Sequence, residues 1–80
     1  MITLYSTEGC HLCEMAFGLV KQLDMADAVQ VIDIALDDAL FSRYGVTIPV
    51  LKYNDSELNW PFDLEELKDW LGNNGITYHP

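Results

Sequence analysis

The two cysteines of this 80-residue chain stand three positions apart, in the run Cys10-His11-Leu12-Cys13. A cysteine reacts as its thiolate, and two thiols this close can exchange with a disulfide, ligate a metal, or lie inert in a core. Zinc would want four ligands, and beyond the cysteines only His11 and His79 offer nitrogen. His11 is adjacent to Cys10 and badly placed to share its metal. Dithiol exchange is the chemistry carried forward, with a metal or iron–sulfur site and an inert pair as the alternatives.

Exchange requires that one thiolate be stabilised, which depends on the element that carries it. Ile2 to Tyr5 is short and β-prone, and Ser6-Thr7-Glu8-Gly9 is a polar turn. From Cys10 onward, Leu12, Ala16, Leu19, Val20 and Leu23 recur at the spacing of one buried helix face, ending near Asp24. This predicts Cys10 in the first turn of a helix, where unpaired N–H groups and the helix dipole stabilise an anion, with Cys13 one turn further in. Cys10 is then the attacking thiolate, its pKa lowered by the helix end, and Cys13 the resolving thiol. Glu8 and Glu14 oppose thiolate formation, but exposed carboxylates are screened while the helix end acts at close range. His11 either tunes the thiols by charge or hydrogen bonding, or is a solvated spacer.

Val29 to Ile34 reads as a strand buried on both faces. Asp37 is positioned to cap a short helix through Ala39, Leu40 and Tyr44 that Gly45 stops. Val46-Thr47-Ile48-Pro49 opens a β-rich run from Val50 to Tyr53, Asn54-Asp55-Ser56 turns the chain, and a short strand follows around Glu57 to Asn59. Asp63, three residues before Glu66 and ahead of Leu64, Leu67 and Leu71, makes a capping-box pattern on an amphipathic helix that Gly72 would end. The order is β-α-β-α-β-β-α in one domain over residues 1–80, with an ordered core over about 1–72 and a loose tail over 73–80. A chain this short cannot divide its core in two, and no repeat or linker interrupts it.

Half the residues are apolar, which is too hydrophobic for a disordered segment, yet no run is long enough for a membrane span. Thirteen Asp and Glu against four Lys and Arg give a formal charge of −9. That field repels phosphate backbones and anionic lipid, so neither nucleic acid nor membrane is expected as a partner. The start, Met1-Ile2-Thr3-Leu4-Tyr5, lacks the basic region, apolar run and cleavage site of a secretory signal, which leads us to expect a cytoplasmic location. In that reducing compartment a close cysteine pair is redox-active or metal-binding before it is structural.

Three features in register, Cys10-His11-Leu12-Cys13 after the first strand, Thr47-Ile48-Pro49 before the third, and Asp63 opening the last helix, resemble the glutaredoxin family over nearly the whole chain. The chain looks most like the small bacterial glutaredoxin-like proteins. The resemblance implies an α/β thioredoxin-like fold, a four-stranded mixed sheet flanked by three helices, with Pro49 in a cis peptide bond beside the dithiol. A kink there would leave the Ile48 N–H and C=O free to pair with an extended substrate strand. Glutaredoxins usually carry a proline after the first cysteine, a lysine three residues before it, and a Gly-Gly-x-Asp-Asp stretch before the last helix. Those groups receive the carboxylates of glutathione and let its backbone approach. Here their places hold His11, Thr7 and Asn59-Trp60-Pro61-Phe62-Asp63, of which only Asp63 keeps the pattern. Trp60, Pro61 and Phe62 either form an apolar rim beside the dithiol or close the core under the last helix.

The expected function is a thiol–disulfide oxidoreductase acting on protein or glutathione mixed disulfides. Cys10 and Cys13 would be catalytic, with Ile48, Pro49, His11, Trp60 and Asp63 contacting substrate and no metal or bound cofactor required. A monomer is expected, with glutathione or a thioredoxin-reductase-type flavoprotein as electron donor. The altered glutathione stretch favours the flavoprotein or a dedicated protein partner. The rivals are a non-catalytic thioredoxin-fold binding module or redox sensor, and a metal or cluster carrier.

Overall fold

The computed structural model describes residues 1–77, so His79, weighed above as a metal ligand, lies outside the described residues. Strands β1 (Ile2–Ser6), β2 (Val29–Asp33), β3 (Val50–Tyr53) and β4 (Ser56–Asn59) form one mixed sheet in the order β2-β1-β3-β4. Helix α1 (His11–Gln22) connects β1 to the parallel strand β2, α2 (Asp38–Tyr44) follows β2, and α3 (Leu64–Asn73) closes the chain. Short 3-10 turns at Ala26–Ala28 and Ile34–Leu36 flank β2. This is the thioredoxin-like α/β arrangement, with β3 antiparallel to both β1 and β4.

The alternation of side chains along β1 assigns the two faces. Ile2 and Leu4 point into the main core with Leu51, where α1 contributes Ala16, Val20 and Leu23 and α3 contributes Leu67, Trp70 and Leu71. Tyr5 faces the other way and forms a smaller cluster with Ile34, Tyr44 and Val50 beneath α2. The two clusters hold the sheet from both sides, which fixes the ends of its strands.

Local signals explain each boundary. Asp37 accepts hydrogen bonds from the Ala39 and Leu40 N–H groups at 2.9 and 3.1 Å and starts α2. Asp63 accepts from Glu66 N–H at 2.8 Å while Glu66 Oε1 accepts from Asp63 N–H at 3.3 Å, a reciprocal cap that opens α3. Asn54 sits in the left-handed region (φ 54°) at the two-residue turn between Tyr53 and Ser56.

Four expectations about the fold need correction. Leu12 does not join the buried face of α1 and is 45% exposed, because the buried stripe runs through its neighbour Cys13 with Ala16 and Val20. Strand β2 is not buried on both faces, since it is the sheet edge and Val31 is 52% exposed. Helix α3 passes through Gly72 to Asn73, and the glycine that takes up the left-handed conformation is Gly75 (φ 69°). The described part of the stretch expected as a tail is tied down. Asn74 Nδ2 donates to Trp70 O and Ser56 Oγ, the Ile76 N–H donates to Leu71 O at 2.9 Å, and Ile76 packs on the core.

Candidate active site

Cys10 is the N-cap of α1, in an extended conformation (φ −83°, ψ 102°), and its sulfur accepts the Cys13 backbone N–H at 3.2 Å. The preceding turn closes when the Cys10 N–H donates to Thr7 O at 3.3 Å, with Gly9 in the left-handed region (φ 77°). The expected first-turn position of Cys10 is thus one residue earlier, at the cap itself. There its sulfur faces the helix N–H groups end-on. Cys10 is half-buried, whereas Cys13 is 3% exposed, and the two are joined as a disulfide with Cα atoms 5.2 Å apart.

The register gathers the other sequence-predicted residues at the same end of the sheet. Ser6 ends β1 opposite Asp33 of β2, and Tyr5 pairs with Val50, which pairs in turn with Asn59. Ile48-Pro49 and Trp60 therefore enter and leave the sheet at the end from which the chain runs to Cys10. The Ile48–Pro49 peptide bond is cis, as is Trp60–Pro61, which the sequence reading did not foresee.

One implication of the resemblance, a free Ile48 N–H, is corrected by the surroundings of these residues. Pro49 is fully buried, and its carbonyl accepts from the Trp60 N–H at 3.2 Å. Ile48 does not present a free N–H. The turn after α2 folds back, so that the Thr47 and Ile48 N–H groups both donate to Tyr44 O, at 2.9 and 3.1 Å. Trp60 is partly buried against the core and meets Phe62 edge to face at 5.1 Å, while Phe62 lies in the core. The Asp63 carboxylate is engaged in the α3 cap. His11 projects into solvent with Nδ1 3.7 Å from Glu14 Oε2, one turn along the same helix.

A groove lined by both cysteines lies on the β2 side. It measures about 450 Å³ and is walled by the β1–α1 turn, by Cys10 and Cys13, and by Glu14, Phe17 and Lys21 of α1, with Leu4 and Val31 from the sheet. None of Ile48, Pro49 or Trp60 lines it. The sequence reading missed Phe17, Lys21 and Val31. The signal was present in the spacing, because Cys13, Phe17 and Lys21 follow at i, i+4 and i+8 and so share one helix stripe with the resolving thiol. Among the described residues no three His, Cys, Asp or Glu side chains converge to hold a metal ion. No described helix is long and apolar enough to cross a membrane.

Comparison with known proteins agrees with this architecture. No curated protein matches the chain. Among solved structures it is similar to the structural genomics target protein XcR50 of X. campestris. The X-ray structure is 40% identical with a TM-score of 0.83, covering 91% of this chain and 97% of that one. The solution structure is 38% identical with a TM-score of 0.79, covering 96% of each. The family model described as Glutaredoxin-like domain (DUF836) matches residues 1–72, a span that includes the dithiol, all four strands and most of α3. With its dithiol at the cap of α1 and its sheet in this order, the chain belongs to the glutaredoxin-like domain family (DUF836).

Proposed function

We propose that this protein is a thiol–disulfide oxidoreductase that reduces disulfides of protein partners. The observation that carries the reading is the unequal placement of the two sulfurs. Cys10 is half-buried at a helix N-cap and receives a backbone N–H, whereas Cys13 is enclosed one turn inward. The first sulfur is accessible and its anion is stabilised; the second is shielded from other thiols yet within bonding reach of the first.

The reaction balances in two exchanges. The Cys10 thiolate attacks one sulfur of a substrate disulfide, forming a mixed disulfide and expelling the other substrate sulfur as a thiolate that takes up a proton. Cys13, losing its proton, then attacks the Cys10 sulfur and expels the second substrate thiol, so the substrate gains two electrons and two protons and the protein is left as the Cys10–Cys13 disulfide. An external two-electron reductant must reduce that bond again. Glutathione and a flavoprotein reductase are the two donors consistent with the family. Thr7 in place of a lysine and the packed Trp60–Phe62 pair in place of glycines favour the protein donor.

The test is to equilibrate the protein in a series of glutathione redox buffers, then read its thiol state by alkylation and intact mass. A reversible two-proton change at roughly −270 to −200 mV supports the oxidoreductase. A Cys10 glutathione adduct trapped in Cys13→Ser would assign glutathione as donor, and the same transition without an adduct would assign a protein. A dithiol that never leaves one state across the series would overturn the reading.

A further inference from the structure

Resting on the oxidoreductase reading, the geometry of the groove bears on which disulfides Cys10 reaches. Its apolar lining is formed by Leu4, Phe17 and Val31, and Glu8 and Glu14 line it together with the two cysteines. A second recess of about 300 Å³ shares Ser6, Thr7, Glu8 and Val31 with it and adds Asp33. Among the described residues Lys21 is the one cation lining either space, and its ammonium lies 5.2 Å from the centre of the Phe17 ring. Lys and Arg side chains match such a surface, since an apolar stem can lie on Phe17 and Val31 while the charged head meets a carboxylate. The carboxylates of glutathione would face Glu8 and Glu14 instead. Among the described residues strand β2 pairs with β1 alone, so its outer ladder is open to an extended segment.

We infer that this groove receives an extended segment of a protein substrate in which the disulfide-bonded cysteine is flanked by Lys or Arg. The segment enters on the β2 side, and its basic side chain is read by Glu8 and Glu14 while Cys10 attacks the adjacent sulfur.

The test uses three short peptides, each with one cysteine in mixed disulfide with thionitrobenzoate and flanked by Lys, Glu or Gly. The reduced protein attacks the peptide sulfur and releases coloured thionitrobenzoate, so the second-order rate is read directly. At low salt the Lys-flanked peptide should react about tenfold faster than the Glu-flanked one, and the ratio should shrink in strong salt. The double variant Glu8→Gln/Glu14→Gln should lower the ratio at least about threefold. Glu65→Gln/Asp69→Asn, an equal charge change outside the groove, should preserve it. A ratio near one in the unmodified protein, or an equal fall in both double variants, would overturn the groove as selector while leaving the dithiol chemistry standing. Failure to release colour from the Gly-flanked peptide would overturn the oxidoreductase reading, and this inference with it.

Discussion

The Tyr44 hydroxyl donates to Glu57 Oε2 at 2.6 Å while its ring stacks on Tyr5 with centroids 4.3 Å apart, so one side chain ties α2 to both β1 and β4. The tie sits under the turn that leads to Pro49, because the Tyr44 carbonyl also receives the Thr47 and Ile48 N–H groups. Arg43 lies 3.7 Å from the same carboxylate, but it is largely exposed and contributes little.

Tyr44→Phe keeps the stack and removes the hydrogen bond, leaving Glu57 one donor short. Unfolding free energy should fall by about 1 to 2 kcal/mol, read from urea midpoints at an unchanged denaturant slope. A loss below a few tenths would show the bond to be dispensable.

The same residue gives a pH dependence. Burial first, and then the Glu57 acceptor, raise the Tyr44 pKa above its ordinary 10.0. The folded protein keeps this proton where the unfolded chain has lost it, so the unfolded state binds fewer protons in that window. Stability is therefore full below about 10 and declines as pH rises from there through the folded pKa. Unfolding midpoints between pH 9 and 11 should fall less steeply for Tyr44→Phe than for the unmodified protein.

Reduced protein should alkylate at Cys10 well before Cys13. Cys13 is nearly inaccessible and Cys10 is not, so a limiting dose of iodoacetamide should place at least about ten labels on Cys10 for each on Cys13, as mapped by peptide mass. Equal labelling would contradict the assignment of attacking and resolving sulfurs.

Asp63→Ala removes the side-chain half of the reciprocal cap on α3, the acceptor of the Glu66 N–H, and should cost about 1 kcal/mol, lowering the melting temperature by roughly 4–8 °C. Asp63→Ser should restore most of it, because a hydroxyl still accepts at a cap. If Asp63 also contacts glutathione, Asp63→Ser would raise the KM for a glutathione mixed disulfide while recovering stability.

Gly45 ends α2 with ordinary helical dihedrals, so the constraint on it is space. A Cβ there would lie 2.5 Å from the Phe41 carbonyl oxygen, which is backbone and cannot swing away. Gly45→Ala should destabilise by about 1 to 3 kcal/mol by chemical denaturation.

Much of this fold is legible in the sequence. The Asp37 and Asp63 caps act within a few residues and could be read locally, as could β3, whose Val50–Tyr53 span was anticipated as it stands. What was misread depended on distant partners. The apolar run of β2 carries no mark of whether a neighbouring strand lies beyond it, so an edge strand looked like an interior one. Leu12 and Cys13 both fit the period of α1 with Ala16, and the pattern alone cannot report which of the two the opposing surface covers. Gly72 and Gly75 are equivalent as stop signals in sequence, and the helix continues through the first because Asn74 finds Ser56 and Trp70 to bond. The groove was missed for the same reason, since Phe17 and Val31 come from elements whose approach only the fold establishes.

Trp70 Nε1 and Asn74 Nδ2 both donate to the single Ser56 hydroxyl, at the hairpin turn of the β3–β4 pair. That turn lies where β1 begins, so Met1 and the last described residues share one pole of the molecule while the reactive sulfur occupies the other. A tether attached at Met1, to a bead, an electrode or a neighbouring domain, would leave the dithiol facing outward.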